Sequence, residues 1–122
     1  MPLAIKSAEP MASVAERVMA METLKAVAHP WLCDAMGHMN VQHYTAIFDD
    51  ASAHFFGAIG AGVKPPLTEL GWADVHHEVE FKDEVTSGDL LTVRSHVVKV
   101  GRASLTFRHV MTGRNEGVHA II

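Results

Sequence analysis

The chain carries one cysteine, Cys33, in 122 residues. An internal disulfide is therefore excluded, no cysteine pair exists to hold zinc, and a reducing cytoplasm is the expected compartment. Long apolar runs are missing too: nothing approaches the roughly 18 residues expected of a membrane span. Positive charge is scarce, with 10 Lys and Arg against 14 Asp and Glu and a net charge of −4, which argues against a general nucleic-acid-binding face. There is no internal repeat and no low-complexity tract. Residues 1–23 are rich in Ala and Met but lack a compact apolar core and a credible cleavage site, so they read as an N-terminal extension rather than a signal peptide.

What is present suits one ordinary globular domain, placed at residues 24–122, since 48% of the chain is hydrophobic and the length allows one core. Leu24 to Leu32 is short, apolar and interrupted by His29-Pro30, as in an edge strand or a bent one. After Asn40, a favourable N-cap, Tyr44, Ile47, Phe48, Ala51, Phe55 and Ile59 fall on one helical face, while Asp49, Asp50, Ser52 and His54 occupy the other. Gly57, Gly60 and Gly62 stop the helix, and Lys64-Pro65-Pro66 makes a loop.

From Trp72 the period changes to two. Ala73, Val75, His77, Val79 and Phe81 alternate with polar neighbours and predict a strand. Ser87-Gly88-Asp89 is a turn, Leu90 to Val100 a long strand, Gly101 a hairpin tip, and Ala103 to Met111 the returning strand. Thr112 to Gly117 is a second turn before a last strand from Val118 to Ile122. One long helix and about five antiparallel strands give an α+β fold, with the sheet curled over the apolar stripe of the helix. Its open edges make pairing between two chains attractive.

Chemistry concentrates between Cys33 and Tyr44, where twelve residues hold a carboxylate (Asp34), two imidazoles (His38, His43), two amides (Asn40, Gln42) and a phenol, with Gly37 at the centre. A carboxylate lying a few residues ahead of a helix N-terminus suits reaction at a carbonyl: Asp34 acts as base or nucleophile, and unpaired amides hold the developing oxyanion. Asp34 also fits a plain turn aspartate, His38 a locally bonded histidine, and Asn40 an N-cap before a substrate contact. Nine histidines invite a metal site, but their spacings do not supply a ligand set, and none is expected. His77 and His109 read as satisfied core histidines, and Cys33 as a small buried residue.

Asp34-Ala-Met-Gly-His-Met-Asn, with Tyr44 four residues on and an amphipathic helix, resembles hotdog-fold acyl-CoA thioesterases of the 4-hydroxybenzoyl-CoA thioesterase type. Ser87-Gly88-Asp89-Leu90 and Gly101-Arg102-Ala103-Ser104 are similar to that family's later turn and hairpin. The Pro-Trp-x-x-Asp-x-x-Gly-His-Met-Asn wording is similar to betainyl-CoA thioesterases and to the thioesterase-like domain fused to some carnitine dehydrogenases. The resemblance spans about Leu24 to Ile122.

It implies a hotdog fold, a metal-free and cofactor-free hydrolase of acyl-CoA, and a homodimer or homotetramer with its sites between subunits. Asp34 takes the family's catalytic position, the amide of about Val41 polarises the thioester carbonyl, and His38 and Asn40 flank the acyl group or orient water. Val41 stands where many relatives have a second Asn. Tyr44, Phe48, Trp72, His77 and Glu78 are the expected acyl contacts. Lys99, Arg102 and Ser104, with Arg94 as a further candidate, are the expected resting place of the CoA nucleotide. A trimethylammonium acyl group would find aromatic faces and the carboxylate of Glu78 or Asp74. Two alternatives stay open: a hotdog hydratase or dehydratase of enoyl or hydroxyacyl thioesters, and a non-catalytic acyl-thioester-binding module.

Overall fold

The computed structural model describes residues 20–60 and 73–122. Strand β1 (Met21–Val27) leads through a 3₁₀ turn at Pro30–Leu32 to helix α1 (Val41–Ile59). Strands β2 (Glu80–Phe81), β3 (Leu90–Val100), β4 (Leu105–Thr112) and β5 (Val118–Ile121) follow. All pairings are antiparallel and the strand order is β1-β3-β4-β5-β2, so β1 and β2 form the edges.

Helix α1 begins where the residue pattern places it. Asn40 caps it, its side-chain oxygen accepting from the Gln42 N–H at 3.2 Å, and Tyr44, Ile47, Phe48, Ala51 and Phe55 are buried. That stripe packs on the sheet against Leu91, Val93, Met111 and Ala120. Burying one large apolar side chain is worth about 1.5–3 kcal/mol, so this face outweighs the four β-branched residues (Val41, Thr45, Ile47, Ile59) and Gly57 within the helix.

Two strands differ from the residue pattern. The first starts at Met21 and ends at Val27, not Leu32, because Pro30 opens the 3₁₀ turn, where its missing N–H costs nothing. The expected strand from Ala73 to Phe81 shrinks to Glu80–Phe81. Glu80 pairs with Ile121 and Phe81 with Ala120, and among the described residues no strand pairs with residues 74–78. Alternation marks residues that suit a strand, but a ladder needs a partner. The Lys64-Pro65-Pro66 loop and residues 1–19 of the expected extension lie outside the described residues.

Candidate active site

Asp34 sits in a tight turn that its own side chain helps to close. Its Oδ1 accepts from the N–H of Met36 at 2.9 Å and of His38 at 3.2 Å. Its backbone N–H donates to the His38 carbonyl, and the Gly37 N–H donates to the Asp34 carbonyl. Gly37 has φ +82°, a conformation that costs a residue with a Cβ on the order of 1 kcal/mol, which explains glycine there. Oδ2 takes no hydrogen bond from the described residues, and Asp34 is exposed.

Backbone bonds strap this loop to the segment before β3. The Met39 N–H donates to Val85 O at 2.8 Å and the Ser87 N–H to Gly37 O at 2.9 Å; Asn40 N–H reaches back to Leu32 O. The Val41 N–H, first of the helix, has no carbonyl within the helix to bond, and no acidic residue occupies the first turn. His38 Nε2 stands 3.0 Å from Glu84 Oε2. Glu84 carries no signal in the sequence; only the strap brings it to His38, 46 positions away.

A second feature lies along the helix. A cavity of about 700 Å³ opens between α1, residues 73–78 and the start of β4. Phe48, His77, Glu78 and Ser104 of the expected contacts line it, together with Asp49, Ser52 and His109, which the residue pattern did not connect. No lysine or arginine is among the described lining residues, whereas Asp49, Asp74 and Glu78 are. Asp34, His38, Asn40 and Val41 do not line it. Tyr44 is buried in the core, its hydroxyl accepting from the Val85 N–H at 3.4 Å and its ring edge-on to Phe81; burial raises the pKa of its phenol. Trp72 lies outside the described residues.

His77 is not a core histidine: with residues 73–79 outside any strand it is half exposed, 3.6 Å from Asp74. His109 is one, 2% exposed and bonded through both ring nitrogens. Burial, then the nearby His96 and His77, lower its pKa to about 4. Lys99 and Arg102 are exposed at the β3–β4 hairpin, but Arg94 leaves that group, pairing with Glu116 at 3.2 Å near the far end of the strands. No described helix is long and apolar enough to cross a membrane. The described residues hold no group of three or more His, Cys, Asp or Glu placed to share a metal ion.

Comparison with known proteins bears on the family and the fold. Residues 27–122 match the family described as the Thioesterase-like superfamily. No curated protein matches the chain. Among solved structures, a Staphylococcus aureus protein in complex with CoA aligns with a TM-score of 0.71 and 17% identity, covering 84% of this chain and 66% of that one. A Thermus thermophilus thioesterase complexed with coenzyme A and Zn aligns with a TM-score of 0.66 and 22% identity, covering 83% and 79%. The DHNA-CoA thioesterase from Staphylococcus aureus gives a TM-score of 0.66 and 15% identity, covering 80% and 66%. This chain thus spans just under two thirds of both staphylococcal proteins. At these identities the likeness shows the fold, a five-stranded antiparallel sheet packed on one long helix as in hotdog-fold thioesterases.

Proposed function

The chain belongs to the thioesterase-like superfamily, a family of thioester hydrolases, and from that premise we propose that it hydrolyses acyl-CoA thioesters with Asp34 as the reacting carboxylate. One observation carries the assignment: two amides hold Oδ1 of Asp34 in a turn strapped just ahead of α1, while no described residue engages Oδ2. A carboxylate fixed in this way loses little entropy on reaction. As general base, Oδ2 takes a proton from water while the water oxygen adds to the thioester carbonyl. As nucleophile, it adds to that carbonyl itself and forms an anhydride that water then opens. In both routes the C–S bond breaks and CoA leaves as the thiolate, with no bound cofactor or metal.

We assign the carbonyl oxygen to the amide of Val41, because the first N–H groups of a helix lack internal acceptors and bear partial positive charge. His38, held by Glu84, and Asn40 orient the water or the acyl group. Lys99, Arg102 and Ser104 offer a basic hairpin for the nucleotide phosphates. The cavity takes the acyl group. Its carboxylates, and the lack of Lys or Arg among its described lining residues, favour a small polar or betaine-like acyl group over an anionic one, and Phe48, Phe56 and Phe107 add aromatic lining.

The site is completed by a second copy of the chain. No strand among the described residues lies beside residues 74–78, and Trp31, Met36 and Val41 leave apolar surface around Asp34 exposed. Cys33, a free thiol, suits a reducing cytoplasm.

One observation favours a second reading, the non-catalytic acyl-thioester-binding module: Oδ1 of Asp34 already has a structural task in the turn. Release of CoA thiol from short-chain, aromatic and betainyl esters, compared for wild type, Asp34→Ala and Asp34→Asn, decides between them. The expected loss is roughly a hundredfold or more in both variants, the scale of a lost general base. Folded wild type that binds the esters without releasing thiol would establish the binding module instead. Betainyl-CoA turned over no faster than its neutral isostere would remove the cationic refinement alone.

A further inference from the structure

One wall of the cavity holds a line of side-chain hydrogen bonds that hydrolysis at Asp34 does not use. Ser52 Oγ lies 2.8 Å from His109 Nε2, Ser95 Oγ 2.5 Å from His109 Nδ1, and Thr23 Oγ1 2.7 Å from Ser95 Oγ. Backbone carbonyls close both ends: Phe48 O is 3.1 Å from Ser52 Oγ and Val93 O is 3.2 Å from Thr23 Oγ1. Ser95 and His109 face each other on β3 and β4 and are buried, while Ser52 and His109 reach the cavity.

Proton counting shows what the cavity end can offer. In one polarity Thr23 donates to Ser95, Ser95 to Nδ1, Nε2–H to Ser52, and Ser52 to the Phe48 carbonyl. In the other, Ser52 donates to Nε2, Nδ1–H to Ser95, Ser95 to Thr23, and Thr23 to the Val93 carbonyl. A hydroxyl has one proton and two lone pairs. Ser52 therefore has its proton engaged in both polarities, and keeps one lone pair free in the first and two in the second. It offers an acceptor at no cost; to act as a donor it must give up a bond it already has.

We propose that Ser52, supported by His109 and Ser95, is a specificity-determining residue of the acyl cavity that selects acyl groups carrying a hydrogen-bond donor, a hydroxyl above all. This rests on the acyl-CoA reading above and refines it. The carboxylates of Asp49 and Glu78 in the same lining add acceptors, while Thr45, Ser104, Thr106, His76 and His77 can also donate, so the selectivity belongs to Ser52 and not to the cavity as a whole.

The order Ser–His–Ser also suggests a nucleophile with its base and orienting group. Two facts speak against that role. Burial pushes His109 down to about 4, so it accepts a proton poorly. In addition, Ser52 lies well inside α1, where backbone amides are committed to the helix and none is free to hold an oxyanion.

The test measures kcat/KM for matched sets of acyl-CoA esters of one chain length: unsubstituted, hydroxylated and oxo. Substituents are placed both near the thioester and at the far end, because Ser52 lies about 16 Å along the helix axis from Val41. A hydroxylated ester should be favoured about fivefold over its unsubstituted partner, the scale of one net hydrogen bond, with the oxo ester no better than unsubstituted. Ser52→Ala should bring the hydroxyl preference to about one, and Ser52→Thr should keep it. Equal rates for all three esters, a preference for the oxo ester, or a hydroxyl preference that survives in Ser52→Ala overturns the inference. If no ester is hydrolysed, the acyl-CoA hydrolysis reading fails separately. The same esters are then compared by calorimetric binding, where tighter binding of the hydroxylated member that Ser52→Ala abolishes upholds the inference, and any other result, including no binding, overturns it.

Discussion

His109 carries a cost that pH exposes. Its pKa is about 4 in the folded chain, against about 6.5 in an unfolded one, so between those values the unfolded state binds a proton that the folded state refuses. Stability therefore falls as pH drops from about 6.5 towards 4, by on the order of 3 kcal/mol at the lower end. Urea unfolding at pH 7 and pH 4.5 should show the loss, and His109→Gln, which cannot titrate, should flatten that part of the profile. His38 is a different case. Its contact with Glu84 is made by side chains 29% and 71% exposed, so the pair contributes at most about 1 kcal/mol to stability. Glu84→Ala is expected to lower kcat several-fold with little change in Tm; an unchanged kcat would mean that Glu84 does not orient His38. That His109 is a satisfied core residue was readable from its place on an apolar strand face. Its partners were not: Ser52 is 57 positions away, and only the packing of α1 on β4 brings them together.

At the scale of elements, the start of α1 and the turn before it were legible in the sequence for local reasons. Asn40 is a cap by chemistry, the apolar stripe has the helical period, and Gly37 occupies a position with positive φ. Asn40→Ala should cost about 1 kcal/mol, read from the shift in urea midpoint. Gly37→Ala should cost a similar amount through its φ of +82° alone, since a Cβ there meets nothing within 4 Å. Because the same turn fixes Oδ1 of Asp34, Gly37→Ala should also reduce thiol release, as should Asn40→Ala through the loss of its contact with the water or acyl group. The strand expected from Ala73 to Phe81 failed for the opposite reason. Its alternation is genuine, but pairing is decided by where β5 lies and how its register runs, and no local pattern encodes that.

For the whole molecule, the antiparallel sheet and its helix followed from counting elements, while the placement of chemistry along the helix did not. Asp34 ended at one end of α1 and the cavity lined by Phe48, His77 and Glu78 further along it, because a cavity is made by what the chain leaves unfilled. Residues 74–78, with no described strand beside them, give a further expectation. Light scattering should find at least a dimer, and Val75→Pro, which removes a donor from that segment, should yield monomer with reduced hydrolysis. An unchanged assembly would move the interface elsewhere.

The strap between the Asp34 loop and residues 85–87 has a kinetic consequence. Met39 to Val85 and Gly37 to Ser87 are contacts across 46 to 50 positions of chain, so each closes a long loop before any packing compensates for the lost freedom. Helix α1 can form from local signals, whereas the turn that holds the carboxylate acquires its geometry only after the second half of the chain has docked. In refolding experiments helical signal should therefore return ahead of catalytic competence, with the delay tracking the sheet and not the helix.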